Sequence, residues 1–278
     1  METIYIEKMD KPKWGIKKIK IERDRCVISL DLEKTKNIQK LVKKLKRNEA
    51  KNVVLSKELN KNKEIVNSLS TNDINIFDGR WLERYLLIQI LDFVVNQKSI
   101  KKEETEIAIT VNQITDFSVE IIKILAKQYK KVITVTNQIE KLRKLEKEIY
   151  DKEGIIIIVS NNQKKSLQKA QIILNIDFNK DMLNKYRINE NAIIINLDGD
   201  VKIENKRFNG INVNDYEIEV GREEIIWREN IGKYRTKDLL ESALYMKDTF
   251  QNICSKINKN KVAITTLYGV NGKIERFS

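Results

Sequence analysis

Apolar positions along the chain recur in two rhythms. Short runs in which nearly every residue, or every second one, is apolar read as strands, and apolar residues spaced by three and four read as helices. In the N-terminal part the pattern predicts strands over "TIYIEK" (3–8), "IKKIKIE" (16–22), "CVISLDL" (26–32), "NVVLSKE" (52–58) and "DINIFDG" (73–79), with Pro12 and Gly15 breaking the first two apart. Helices are predicted over "KTKNIQKLVKKLKR" (34–47), where Ile38, Leu41, Val42 and Leu45 share a face, and over "KNKEIVNSL" (61–69). "RWLERYLLIQILDFVVNQ" (80–97) places Leu82, Leu86, Ile90, Leu91 and Val94 on one face. Tyr85, Leu87, Ile88 and Phe93 cover most of another, so this helix is expected to be buried nearly all round.

A charged stretch, "KSIKKEETE" (98–106), follows, and a regular alternation begins after it. Strands are predicted over 107–111, 132–136, 155–160, 172–177 and 192–198, with helices from Phe117 to Tyr129, Ile139 to Tyr150, Lys164 to Ala170 and Lys180 to Lys185. Continuously apolar strands separated by helices predict a parallel sheet covered on both faces, and right-handed crossovers make a doubly wound, Rossmann-like order the default. Beyond Asp198 the rhythm changes to a strand (211–220), a long helix (236–257) and a terminal hairpin (262–277) that turns at Asn271-Gly272. The expected class is therefore α/β. It comprises an N-terminal α/β domain (1–100), a Rossmann-like domain (101–200) and a C-terminal strand, helix and hairpin (201–278) returning to the domain interface.

Composition narrows the chemistry. The chain of 278 residues contains no histidine, which removes the usual general base near neutral pH, Ser-His and Cys-His pairs, and histidine-ligated zinc. Cys26 and Cys254 are far apart and fit neither a metal motif nor a disulfide scaffold, consistent with a reducing cytoplasm. No apolar run is long enough to span a bilayer, and the N-terminus lacks the pattern of a secretory signal. The formal charge of +13 invites a nucleic-acid partner. Most basic residues alternate with acids, however, as in "EKLRKLEKEIYDKE" (140–153), and no RRM, helix-turn-helix or zinc motif is present. Nucleic acid ranks last among the partners, behind a small molecule or another protein, and the basic segment 34–47 reads as a solvated helix.

The stretch "EIAITVNQITDFSVEIIKILAKQYKKVITVTN" (106–137) is a strand, a polar turn, a helix and a strand. In that unit a G-x-G-x-x-G would fall on Asn112, Ile114 and Phe117, and none of these is glycine. Bulk at 114 and 117 occupies the place where backbone must approach a pyrophosphate. Asp116 opposes a bound phosphate, and Thr136, Asn137 and Gln138 supply no acid for a ribose hydroxyl. Ile114 and Phe117 are expected to fill the crevice instead, leaving a degenerate nucleotide loop.

The order of elements resembles the shikimate-dehydrogenase-like and glutamyl-tRNA-reductase-like two-domain proteins of the Rossmann superfamily. The resemblance implies a substrate domain, a connecting helix, a dinucleotide-binding domain and a C-terminal helix that packs back across the interface. The missing glycine fingerprint disfavours NAD(P), and no other cofactor or metal is predicted. The expected role is non-catalytic: ligand binding, regulation or scaffolding. The alternative is a divergent oxidoreductase using the inter-domain cleft. Its catalytic candidates are Lys57 and Asp78, with Ser56 and Arg80 beside them at the ends of the expected parallel strands; a lysine near an aspartate is one route to proton transfer without histidine. "LYGVNG" (267–272) lacks the order of a phosphate-binding loop, and "NLDGD" (196–200) lacks the remaining ligands of a calcium loop.

Overall fold

The computed structural model describes residues 3–9, 19–197, 199, 201–222, 225–226, 231–246 and 248–277. The breaks expected at Pro12 and Gly15, and Asp198 and Asp200 of the 196–200 loop, lie outside the described residues. The chain forms two compact units, one made of Met1–Leu82 with Val220–Val262, the other of Glu83–Glu219 with Ala263–Ser278.

The first unit is built on β1 (Thr3–Lys8), β2 (Ile19–Glu22), β3 (Arg25–Ile28), β4 (Asn52–Leu55) and β5 (Asn75–Phe77), in the spatial order β2-β3-β1-β4-β5. β1, β3, β4 and β5 are parallel, and β2 pairs antiparallel with β3 at the edge. The parallel strands thus lie second-first-third-fourth, and the winding reverses between β1 and β4. Side chains alternate across the sheet. Ile4, Ile6, Val53 and Leu55 join a core with α1 (Thr35–Arg47) and α3 (Lys63–Ser70). The segment 52–58, expected as one strand, ends at Leu55 and turns into the short α2 (Lys57–Asn60).

α1 buries Ile38, Leu41, Val42 and Leu45 and exposes Lys36, Lys40, Lys43, Lys46 and Arg47. Its first turn has no acid, and its N-cap Lys34 makes no side-chain capping bond. Like charges at i,i+4 (Lys36 with Lys40, Lys40 with Lys44, Lys43 with Arg47) each destabilise a helix by about 0.2–0.5 kcal/mol. The apolar underside holds this helix against that repulsion, and only Lys44, Lys46 and Arg47 in the last turn gain from the helix dipole.

On the opposite face α8 (Thr236–Leu244) packs on β4 and β5. The long helix expected over 236–257 is in fact two, α8 and α9 (Phe250–Lys259). Tyr245 leaves the helix to pack edge-on against Phe77 and Trp81, with ring centroids 5.0 and 5.2 Å away. Met246 takes a φ of 49°, and Thr249 starts α9 by accepting from the Asn252 amide. Helical spacing continued across the join, but a new N-cap and an aromatic anchor ended the first helix.

α4 (Arg80–Lys98) follows β5, and Leu82, Leu86, Ile90, Leu91 and Val94 are all fully buried, as their spacing requires. The second unit contains β6 (Glu106–Thr110), β7 (Lys131–Val135), β8 (Ile158–Ser160), β9 (Ile172–Asn175), β10 (Ile193–Asn196) and β11 (Ile211–Val213). They lie in the order β11-β10-β9-β6-β7-β8, and every pairing is parallel. Counted from β6, the order is 6-5-4-1-2-3, the doubly wound Rossmann arrangement with its switch point between β6 and β9. α5 (Asp116–Gln128) joins β6 to β7, α6 (Ile139–Glu153) joins β7 to β8, and α7 (Lys180–Leu183) follows β9.

Two expectations are corrected here. Residues 164–170 form turns and no helix. The Asn162 side chain accepts from the amides of Lys164 and Lys165, and Ser166 Oγ donates back to the Asn162 carbonyl, so local side-chain bonds compete with the helical ladder. The strand expected over 211–220 is two, because the chain changes sheets at Asn214, whose amide donates to the Tyr268 carbonyl. β12 (Asp215–Val220) enters a three-stranded sheet with β13 (Val262–Gly269) and β14 (Gly272–Lys273). The terminal hairpin is present, with Gly272 (φ +98°) opening its return strand. Among the described residues no helix is long and apolar enough to cross a membrane.

Candidate functional site

The crevice outside the carboxyl ends of β6 and β9 is where this sheet topology places a ligand. Its first wall is the loop after β6. The Asn112 amide lies 2.7 and 2.9 Å from the two carboxylate oxygens of Asp177, and the Gln113 amide donates to Asp177 Oδ2 at 2.6 Å. Asp177 comes just after β9. A carboxylate of the chain itself therefore sits on the amides that a phosphate would use in a dinucleotide site. The Asn112 side chain accepts from the Asn137 amide at 3.0 Å, tying the loop to the end of β7. Thr115 and Ser118 cap α5 reciprocally. Ile114 and Phe117, expected to fill the crevice, are both half-buried. The group seated on the loop amides is Asp177.

Below the loop, a row of side-chain amides crosses the strand ends. Thr110 Oγ1 donates to Asn175 Oδ1 at 2.6 Å, Asn175 Nδ2 to Asn196 Oδ1 at 2.9 Å, and Asn196 Nδ2 to Asn214 Oδ1 at 2.8 Å. Asn175 also exchanges bonds with the backbone of Phe178. Thr110, Asn175 and Asn196 are almost completely buried, so these polar groups satisfy one another without water. This floor adjoins the crevice but presents no charge to it.

The first unit carries a different polar layer at the carboxyl ends of β1, β4 and β5. Glu7, on β1, is 1 % exposed and holds the Arg25 guanidinium and, at 3.2 Å, Lys233 Nζ. Ser56, immediately after β4, is buried, and its hydroxyl has no hydrogen-bond partner among the described residues. Lys57 Nζ donates to the Gly232 carbonyl at 3.0 Å from an exposed position. Asp78, immediately after β5, accepts from the Arg80 amide and pairs with its guanidinium at 3.4 Å. No hydrogen bond or ion pair joins Lys57 to Asp78 among the described residues. Asp78 and Arg80 instead line a groove of about 560 Å³ beside β5, together with Asn60, Val66, Asp73 and Ile76.

α8 completes the layer. Arg235 Nε donates to Asp238 at 2.8 Å and Arg235 Nη2 to the Asp78 carbonyl at 3.2 Å. Glu241 accepts from the amides of Gly79 (2.6 Å) and Trp81 (2.8 Å), which caps the start of α4. Burial pushes both Asp238 and Glu241 up to about 7; Arg235 opposes the rise at Asp238, and the Gly79 amide opposes it at Glu241. Lys237 is buried beside them, and its stem runs so close to Gly79 that a Cβ there would meet Lys237 Cδ at 2.7 Å. Gly79 also has a φ of +90°, a conformation that favours glycine. Cys26 lies in the core, where burial pushes its thiol up to about 12, so it offers no nucleophile. Among the described residues no three acidic or cysteine side chains are arranged to hold a metal ion.

Lys57, Asp78, Asn112, Ile114 and Phe117 were marked by strand ends and missing glycines. Asp177, Glu7, Asp238 and Glu241 were not, because their significance lies in partners distant along the chain.

No protein-family model matches the chain, and no curated protein matches it. Similarity to solved structures is remote. A D-3-phosphoglycerate dehydrogenase-like oxidoreductase from Ralstonia solanacearum is 10% identical, with 93% of this chain and 95% of that one covered and a TM-score of 0.41. L-Tryptophan dehydrogenase from Nostoc punctiforme is 10% identical over 85% of this chain and 77% of that one, with a TM-score of 0.35. Shikimate dehydrogenase from Aquifex aeolicus is 15% identical over 62% and 67%, with a TM-score of 0.29. The protein is a Rossmann-like α/β protein by the strand order of its own second unit.

Proposed function

We propose that the chain is a ligand-binding or regulatory protein that does not use a nicotinamide dinucleotide. The observation that carries this reading is the Asp177 carboxylate on the Asn112 and Gln113 amides. A pyrophosphate at that loop would have to displace a carboxylate and then lie beside it, with its own negative charges unpaired. The half-buried side chains of Ile114 and Phe117 stand where the fingerprint glycines would allow close approach. The ligand is a small polar molecule bound by the first unit. The groove lined by Asp78 and Arg80 supports that placement.

Thermal unfolding in millimolar NAD, NADH, NADP or NADPH tests the reading. A ligand present at a hundred times its dissociation constant adds about 2.7 kcal/mol of stability, a readily measured shift. No shift is expected from any of the four. Saturable stabilisation by one of them overturns the proposal. Mass spectrometry of small molecules retained through purification identifies the ligand.

A further inference from the structure

The outward face of α1 is a line of cations that no described residue neutralises. Successive helical residues are about 100° apart, so Lys36, Lys40, Lys43 and Arg47 fall within about 60° of arc. Ile38, Leu41, Val42 and Leu45 lie diametrically opposite, in the core. Lys46 and Gln39 flank the line, both exposed. Thr35–Arg47 contains no acid; Glu33 precedes the helix and Glu49 follows it. None of Lys36, Lys40, Lys43, Lys46 and Arg47 makes an ion pair with any described residue. α6, of similar length, carries Lys141, Arg143, Lys144 and Lys147 interleaved with Glu140, Glu146 and Glu148. The positive charge of α1 is therefore concentrated beyond the general basicity of the chain, and it persists although like-charge neighbours oppose it.

We infer that the Lys36–Lys40–Lys43–Arg47 stripe docks the chain on the phosphate backbone of a nucleic acid, independently of base sequence. From Lys36 to Arg47 the stripe runs about 16 Å along the helix axis. A duplex strand carries one phosphate per about 3.4 Å of its axis, so four cations face a run of roughly five phosphates. The face has no aromatic or apolar side chain to stack on bases or to enter a bilayer interface, because every apolar residue of α1 is buried. A narrow line of charge matches a strand better than it matches the plane of a membrane. This contact is separate from the ligand reading of the first unit and stands or falls without it.

Fluorescence anisotropy with a short labelled DNA duplex of arbitrary sequence, titrated over a range of salt, tests the inference. Four phosphate contacts give a slope of log affinity against log salt of about −3 to −4. Lys36→Glu, Lys40→Glu, Lys43→Glu and Arg47→Glu together abolish that binding. The matching Gln set, which keeps the exposed face uncharged, flattens the slope to near zero while far-UV circular dichroism stays unchanged. Reversal of Lys141, Arg143, Lys144 and Lys147 on α6 leaves most of the affinity. The inference is overturned by a wild-type slope shallower than about −1, by an equal loss from the α6 set, or by preference for phosphatidylserine vesicles over the duplex.

Discussion

Glu241 makes stability depend on pH in a direction opposite to that of an ordinary paired carboxylate. In the folded chain burial holds its carboxyl protonated up to about 7, whereas its ordinary value is 4.5. Between these two values the folded state binds a proton that the unfolded state has released. Stability therefore falls as pH rises through that window and levels off above it. Each pH unit in the window removes about 1.4 kcal/mol, so the whole interval amounts to roughly 3 kcal/mol from this one group. Asp238, raised to about 7 from 3.8 and likewise buried, acts in the same sense. Urea unfolding followed from pH 5 to pH 8.5 in wild type and Glu241→Gln measures the effect. Gln keeps one oxygen to accept a single N–H and places an NH2 against the other, which costs on the order of 1–3 kcal/mol at pH 5. At pH 8.5 that penalty is offset, because the variant has no buried carboxylate to ionise. The gap between wild type and variant should therefore narrow with rising pH. A gap that is constant across the range, or one that widens, refutes the reasoning.

Two further substitutions probe the same construction. Gly79→Ala forces a side chain into a left-handed conformation and against the Lys237 stem, and should destabilise by roughly 2 kcal/mol in chemical denaturation; a neutral result would show that the β5–α4 turn relaxes freely. Asn175→Ala strands Thr110, Asn196 and the Phe178 backbone without partners in a dry interior, and a loss of roughly 3–5 kcal/mol is expected. A loss below about 1 kcal/mol would mean that the amide row is not tightly formed.

Most of the architecture was legible because it is periodic. The parallel strands of the second unit are mostly apolar between polar ends, as a sheet covered on both faces requires, and their order followed from crossover handedness once alternation was recognised. Local polar detail was harder. Nothing in 164–170 distinguishes a helix from a turn until Asn162 is seen to capture two amides, and the break after Leu244 depends on Tyr245 finding Phe77 and Trp81. The site was half legible. Missing glycines at 112, 114 and 117 showed that a pyrophosphate would not be cradled, but not what takes its place. Asp177 is 64 and 65 residues from the amides it holds, and Glu241 is 160 and 162 residues from those it caps. Pairings of that range leave no periodic trace in a single sequence.

The first unit is discontinuous, and synthesis imposes a schedule on it. Its sheet strands are complete once Phe77 has left the ribosome, but α8, which packs on β4 and β5, follows about 160 residues later. At roughly 5–20 residues per second the nascent sheet waits on the order of 8–30 s for its cover. During that interval the ring of Phe77 lacks Tyr245, Tyr5 lacks Ser242, and the first amides of α4 lack the Glu241 carboxylate. The inserted segment from Glu83 to Glu219 already contains all six strands of the second sheet and emerges entirely within the wait. The sheet whose strands come first in the chain is thus covered only after the second sheet has emerged, and an arrest of translation before Thr236 would leave one sheet with all its strands and another open on the face that α8 covers.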